Sequence, residues 1–131
     1  MESIKYTMLR QLGLWRALFV LSILAILILA TADSRMPLPS TPSDKLNHLL
    51  AFLELTLLAR LGWPRLRSHW LVPGLLAFGL AIEGIQASLP YRDFSLADLA
   101  ADALGISLGL LPWPLVRDAR KAELRNSPKS V

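Results

Sequence analysis

Four apolar stretches, at 17–32, 46–61, 70–89 and 95–116, fill most of this chain of 131 residues. Short segments rich in charge and proline separate them. A bilayer crossing takes about 20 residues, roughly 17–25. The third and fourth stretches have that length, while the first and second need their flanks, Leu14-Trp15 and Gly62-Trp63, to complete it. The pattern predicts an all-α integral membrane protein, with four transmembrane helices in an antiparallel bundle. The segment 33–43, DSRMPLPSTPS, holds three prolines and is expected to be extended. Ser43 or Asp44 would cap the second helix and Ser95 the fourth. Residues 60–69 and 89–94 read as tight turns, and short connections make successive helices antiparallel neighbours.

Charge gives the orientation. With the N-terminus inside, only Arg35, Lys45 and Arg92 of the 14 lysines and arginines fall outside. That asymmetry is a strong positive-inside signal, and Trp15, Trp63, Trp70 and Trp113 then form a belt at the cytoplasmic interface. Residues 1–16 become a cytoplasmic segment, 17–116 the membrane domain and 117–131 a basic cytoplasmic tail, frayed or lying on anionic headgroups. The first stretch also has the features of a signal peptide: Lys5, Arg10 and Arg16 before it, and Ala30-Thr31-Ala32 at its end. The length of the basic region and the three further spans favour an uncleaved helix.

Composition agrees. The chain is 53% hydrophobic, and without cysteine it has neither disulfides nor thiol chemistry. The net charge of +4 is accounted for by the cytoplasmic loops, so nucleic acid is not expected as a partner. No dinucleotide, P-loop or zinc-protease motif is present.

The informative residues are the polar ones inside the apolar stretches: His48, Glu54, Glu83, Gln86, Asp98 and Asp102. Ionisable groups at depth cost a few kcal/mol or more and are usually paired or functional. At ~1.5 Å per residue, His48 lies roughly 6 Å below the outer surface, Gln86 and Glu83 roughly 6 and 10 Å, and Asp98 and Asp102 roughly 5 and 10 Å. Three helices therefore deliver polar groups to one outer layer. Their spacing agrees, because Asp44, His48 and Phe52 share one helical face, as do Gly79, Glu83 and Gln86. On the fourth helix Asp98, Asp102, Gly105 and Gly109 form one stripe, polar at the outer end and small-residue below. Glu54 is deeper, near the midplane, and needs a partner or a proton; Arg60 is expected to snorkel inward. Structural readings compete with functional ones: Asp98 as a helix N-terminal acid, Glu83 and Gln86 as interhelical glue, Arg92-Asp93 as a surface ion pair.

Asp44-Lys45-x-x-His48 with Phe52, then Glu83-x-x-Gln86, Pro90-x-Arg92, Ser95-x-x-Asp98, Asp102 and Gly105-x-x-x-Gly109 occur in that order over residues 44–111. This run resembles the VanZ-like family of small bacterial membrane proteins. The family pattern has an asparagine in a D-x-x-x-N-x-x-G run where this chain has Asp102, which makes its site more acidic. The resemblance implies a bacterial cytoplasmic (inner) membrane protein connected with the cell envelope, in a family named for glycopeptide (teicoplanin) resistance. It implies no biochemical activity.

Three functions compete. The first is a binding or accessory protein whose outer pocket, formed by Asp44, Lys45, His48, Glu83, Gln86, Arg92, Asp98 and Asp102, holds a lipid headgroup, a lipid-linked cell-wall precursor or an envelope protein. The second is a membrane-embedded hydrolase or transferase, with His48 as base and Glu83 or Asp102 as acid or orienting carboxylate. A divalent metal on His48, Glu83, Asp98 and Asp102 would serve it, and mixed nitrogen and oxygen donors suit zinc or manganese. The third is a proton-coupled carrier using Glu54 and Glu83, which with four helices would need to oligomerise.

Overall fold

The computed structural model describes the backbone of residues 2–31, 44–90 and 96–126, and the side chains of 10–31, 45–90 and 96–125. The described residues form five α-helices and no strand: α1 (Glu2–Thr31), α2 (Asp44–Gly62), α3 (Ser68–Ala87), α4 (Leu96–Gly109) and α5 (Pro114–Asn126). The prolyl segment 33–43, the turn residues 91–95 with Arg92, and the caps expected of Ser43 and Ser95 lie outside the described residues.

Helix α1 runs unbroken through 16/17, the expected edge of the membrane domain. The fourth stretch does not continue to Val116 as one helix. It breaks after Gly109, and the axes of α4 and α5 differ by 59°. Proline explains the break: Pro112 has no N–H to give and disfavours helical backbone at Leu111, while Pro114 suits the first position of a new helix. The division at 116/117 falls inside α5, and the residues expected to fray or to lie on headgroups are helical as far as Asn126.

Contacts fix the relative directions. Arg16 Nε donates to Gly62 O at 2.8 Å, joining the first half of α1 to the end of α2. Gln86 Nε2 donates to Ala30 O at 3.2 Å, joining the ends of α1 and α3. His48 meets Asp102 near the starts of α2 and α4. The four long helices thus alternate in direction. The expected nearest neighbours do not hold throughout: α2 packs most closely on α4, not on its successor α3. The cause is the small-residue stripe. A Cβ on Gly105 would collide with the Leu49 carbonyl oxygen, and one on Gly109 would lie 2.5 Å from Thr56 Cβ. Glycine at both positions lets the α4 backbone rest on α2.

Helix α2 is the centre of the bundle and touches all four others. Phe52, Leu55, Thr56, Leu58, Ala59 and Leu61 are buried along it. Leu71, Leu75 and Ile82 of α3 and Ile106 of α4 close the core, with Phe19, Ile23, Ile26 and Leu27 of α1 packed on its edge. The outer face of α1 keeps Leu14, Leu21, Leu24, Ile28 and Leu29 exposed. Two helices, α1 over Arg10–Thr31 and α3, are long and apolar enough to cross a membrane; α4 with α5 qualifies only as a bent pair. Helix α2 carries Asp44, Lys45, Glu54 and Arg60 and does not reach that hydropathy by itself; its buried face is largely apolar, while Lys45, Leu46, Leu50 and Glu54 are exposed.

Candidate functional site

The end of the bundle where α1 and α3 finish and α2 and α4 begin holds the polar cluster. His48 sits one turn into α2, above Phe52, which is buried against Phe78 of α3 with ring centroids 6.0 Å apart. Asp98 and Asp102 occupy the first two turns of α4, and Glu83 the last two of α3.

The two nitrogens of His48 face different carboxylates. Nδ1 is 2.8 Å from Asp102 Oδ1. Nε2 is 3.6 Å from Asp98 Oδ2, beyond hydrogen-bond length. Ligand atoms of His48, Glu83 and Asp98 all lie within 4.8 Å of one another. Glu83 and Asp102 are both 0% exposed, whereas the side chains of His48 and Asp98 are each 16% exposed. The cluster therefore has a buried floor and a partly open top. Asp102 Oδ2 has no hydrogen-bond partner among the described residues. It lies where a Cβ on Gly79 would stand, 2.7 Å away, so the missing side chain of Gly79 makes room for this carboxylate. A carboxylate accepting from Nδ1 fixes that nitrogen as the donor, and in the neutral ring presents the Nε2 lone pair towards Asp98. An imidazole held in this way is suited to accepting a proton or binding a cation.

Not every candidate joins the cluster. Gln86 is buried but its amide is directed to α1, where it satisfies one of the last carbonyls of that helix, Ala30 O. Lys45 is exposed at the start of α2. The side chain of Asp44 and the whole of Arg92 lie outside the described residues. Glu54 is exposed on α2, and Ser22 Oγ of α1 donates to its Oε1 at 3.1 Å. Ser22 was not singled out from the sequence, although as a polar residue in an otherwise apolar run of α1 it carried a signal. Arg60 Nη1 donates to Gly109 O and Leu111 O, 2.7 Å each, and closes the C-terminal end of α4.

No family model matches the chain, and neither a curated protein nor a solved structure matches it.

Proposed function

We propose that this chain is a VanZ-like protein of the bacterial cytoplasmic membrane that crosses the bilayer four times with both termini inside, and that its outer-half cluster binds a cell-envelope ligand. One observation carries the reading: His48, Glu83, Asp98 and Asp102, from three helices, meet at one end of the bundle with two carboxylates fully buried. Packing alone does not call for this, because apolar side chains of similar volume fill such space at no charge-burial cost. His48, Glu83 and Asp98 belong to the VanZ-like pattern, and Asp102 stands where that pattern has asparagine. A ligand at the partly open top of the cluster would also be within the reach of Lys45, and the Pro90-x-Arg92 turn supplies a guanidinium nearby in sequence. The ligand class is a lipid headgroup or lipid-linked precursor bearing phosphate or carboxylate.

The His48–Asp102 pair supports a second reading, a membrane-embedded hydrolase or transferase on the same class of headgroup. There Asp102 would orient His48 as the general base.

Native mass spectrometry of the full chain, released from bacterial membranes, distinguishes these readings. Wild-type protein is expected to carry a phosphate-bearing lipid that Glu83→Gln and Asp102→Asn lose while remaining inserted. Turnover of that lipid by wild type alone would favour the enzyme. Identical lipid profiles in all three proteins would sink both readings.

A further inference from the structure

We infer that the cluster is a divalent-metal site in which His48 Nε2, Glu83 and Asp98 are the ligands and Asp102 is a positioning residue. The inference rests on the proposed outer-half site and names what that site holds. Three observations point the same way. First, Nε2 of His48 and Oδ2 of Asp98 stand 3.6 Å apart. That is too long for a hydrogen bond, and it suits two donors sharing an ion at about 2.0–2.2 Å each. The full set within 4.8 Å needs to close by roughly 1 Å to surround the ion. Second, the bond from His48 Nδ1 to Asp102 Oδ1, at 2.8 Å, is the carboxylate–histidine arrangement that orients an imidazole towards a metal and raises its basicity. Third, and independently, Asp102 is 0% exposed and its Oδ2 has no hydrogen-bond partner among the described residues. A buried carboxylate with an unpartnered oxygen calls for positive charge nearby. A divalent ion bound through Nε2 places it on the far side of the same ring.

One imidazole and two carboxylates form a mixed nitrogen and oxygen set, which favours zinc or manganese over magnesium or calcium. The 16% exposure of His48 and Asp98, against the full burial of Glu83, places the open coordination position at the top of the cluster. A phosphate or carboxylate oxygen of a headgroup could take that position directly.

The test uses the full chain in nanodiscs, stripped by chelator and titrated with Co²⁺, Zn²⁺ or Mn²⁺ alone. Wild type is expected to bind one ion per chain, with Co²⁺ giving visible bands of low coordination number and Mn²⁺ showing coupling to a histidine nitrogen. His48→Ala, Glu83→Gln and Asp98→Asn should each abolish the bands. Asp102→Asn should retain one ion per chain with affinity lowered about 10–100-fold and the nitrogen coupling altered, a change that a merely structural role would not produce. Lys121→Ala, exposed on α5 at the other end of the bundle, is expected to bind as wild type. No stoichiometric binding by the wild type, or binding indifferent to Glu83→Gln and Asp98→Asn, overturns the inference. The wild-type spectra do so without relying on any variant to fold. Two arms separate this failure from that of the envelope reading. Lipid recovered by the metal-stripped protein would leave the envelope reading standing without the metal. Triad-dependent binding that a membrane-impermeant chelator reverses only from the cytoplasmic side would leave the metal standing and place the site at the wrong face.

Discussion

Glycine positions report how tightly the site is built, because each makes a different prediction for the same added methyl group. At Gly105 a Cβ meets the backbone of Leu49 and Leu53, which cannot rotate away. Gly105→Ala should therefore cost about 1–3 kcal/mol through overpacking. At Gly84 nothing lies within 4 Å, so Gly84→Ala should be neutral or stabilise by up to about 1 kcal/mol through helix propensity. Reversible unfolding in mixed micelles compares the two, and equal effects would refute the close α2–α4 approach. Gly79→Ala probes the site itself. Its Cβ would stand 2.7 Å from Asp102 Oδ2 and 3.2 Å from Phe52 Cζ. The carboxylate is expected to turn, loosening its hold on His48 Nδ1, and the imidazole proton resonance should move while the helices remain intact. At this scale the sequence was informative about depth and silent about partners. A rise per residue is enough to put His48, Glu83, Asp98 and Asp102 in one layer. It cannot say that the two nitrogens of His48 divide between Asp102 and Asp98, or that Gln86 turns to Ala30, because these depend on helix rotation within the bundle.

Hydrophobic run length identified the elements, and it misled where chain direction changes inside an apolar run. Residues 95–116 contain no charge between Asp102 and Arg117, so hydropathy reads through the break. Pro112 and Pro114 were the local signals, and what holds the broken end is a residue from another helix. Arg60 supplies a donor to Gly109 O, the last carbonyl of α4, and another to Leu111 O, which also accepts from Trp113 N–H. The positive charge also complements the helix dipole. Arg60→Met keeps the length of the side chain and removes its donors. It should destabilise the end of α4 by about 1–3 kcal/mol, the range for orphaning a buried acceptor or losing a charged hydrogen bond. Hydrogen exchange should quicken at the Leu110 and Leu111 amides, which are bonded to Ile106, Ser107 and Leu108 carbonyls, with α3 unaffected. Unchanged protection there would mean that the bend rests on the prolines alone. Helix α2 shows the opposite limit of run length. Its charges weaken its hydropathy, yet it is the best enclosed of the helices, since a central position depends on its neighbours and not on its own composition.

Orientation is a property of the whole molecule: charge proposes it, and packing shows which groups share an end. Basic residues concentrate in one set of connections, which positive-inside reasoning assigns to the cytoplasm. Independently, the packing places particular groups at one end of the bundle. Arg16 lies over the Trp63 ring at 5.3 Å and bonds Gly62 O. Arg65 Nε is 3.4 Å from Glu123 Oε1, tying the α2–α3 connection to α5. That exposed pair adds little energy, but it marks the connection and α5 as lying on one side. His48, Asp98 and Ala30 lie at the opposite end. The proposed four-crossing arrangement with the N-terminus inside would put the basic α2–α3 connection and α5 in the cytoplasm and the His48 cluster outside. Reporter fusions should place Thr41 and Tyr91 outside, and Arg65 and Lys129 inside. Intact mass should retain the α1 sequence, since Phe19, Ile23 and Ile26 pack on the core and Ser22 serves Glu54. A new N-terminus at Asp33 would establish cleavage. An outside signal at Lys129 would reject the four-crossing arrangement, whereas exchanged signals at Tyr91 and Arg65 would invert it and put the His48 cluster in the cytoplasmic half, out of reach of any ligand confined to the outer leaflet.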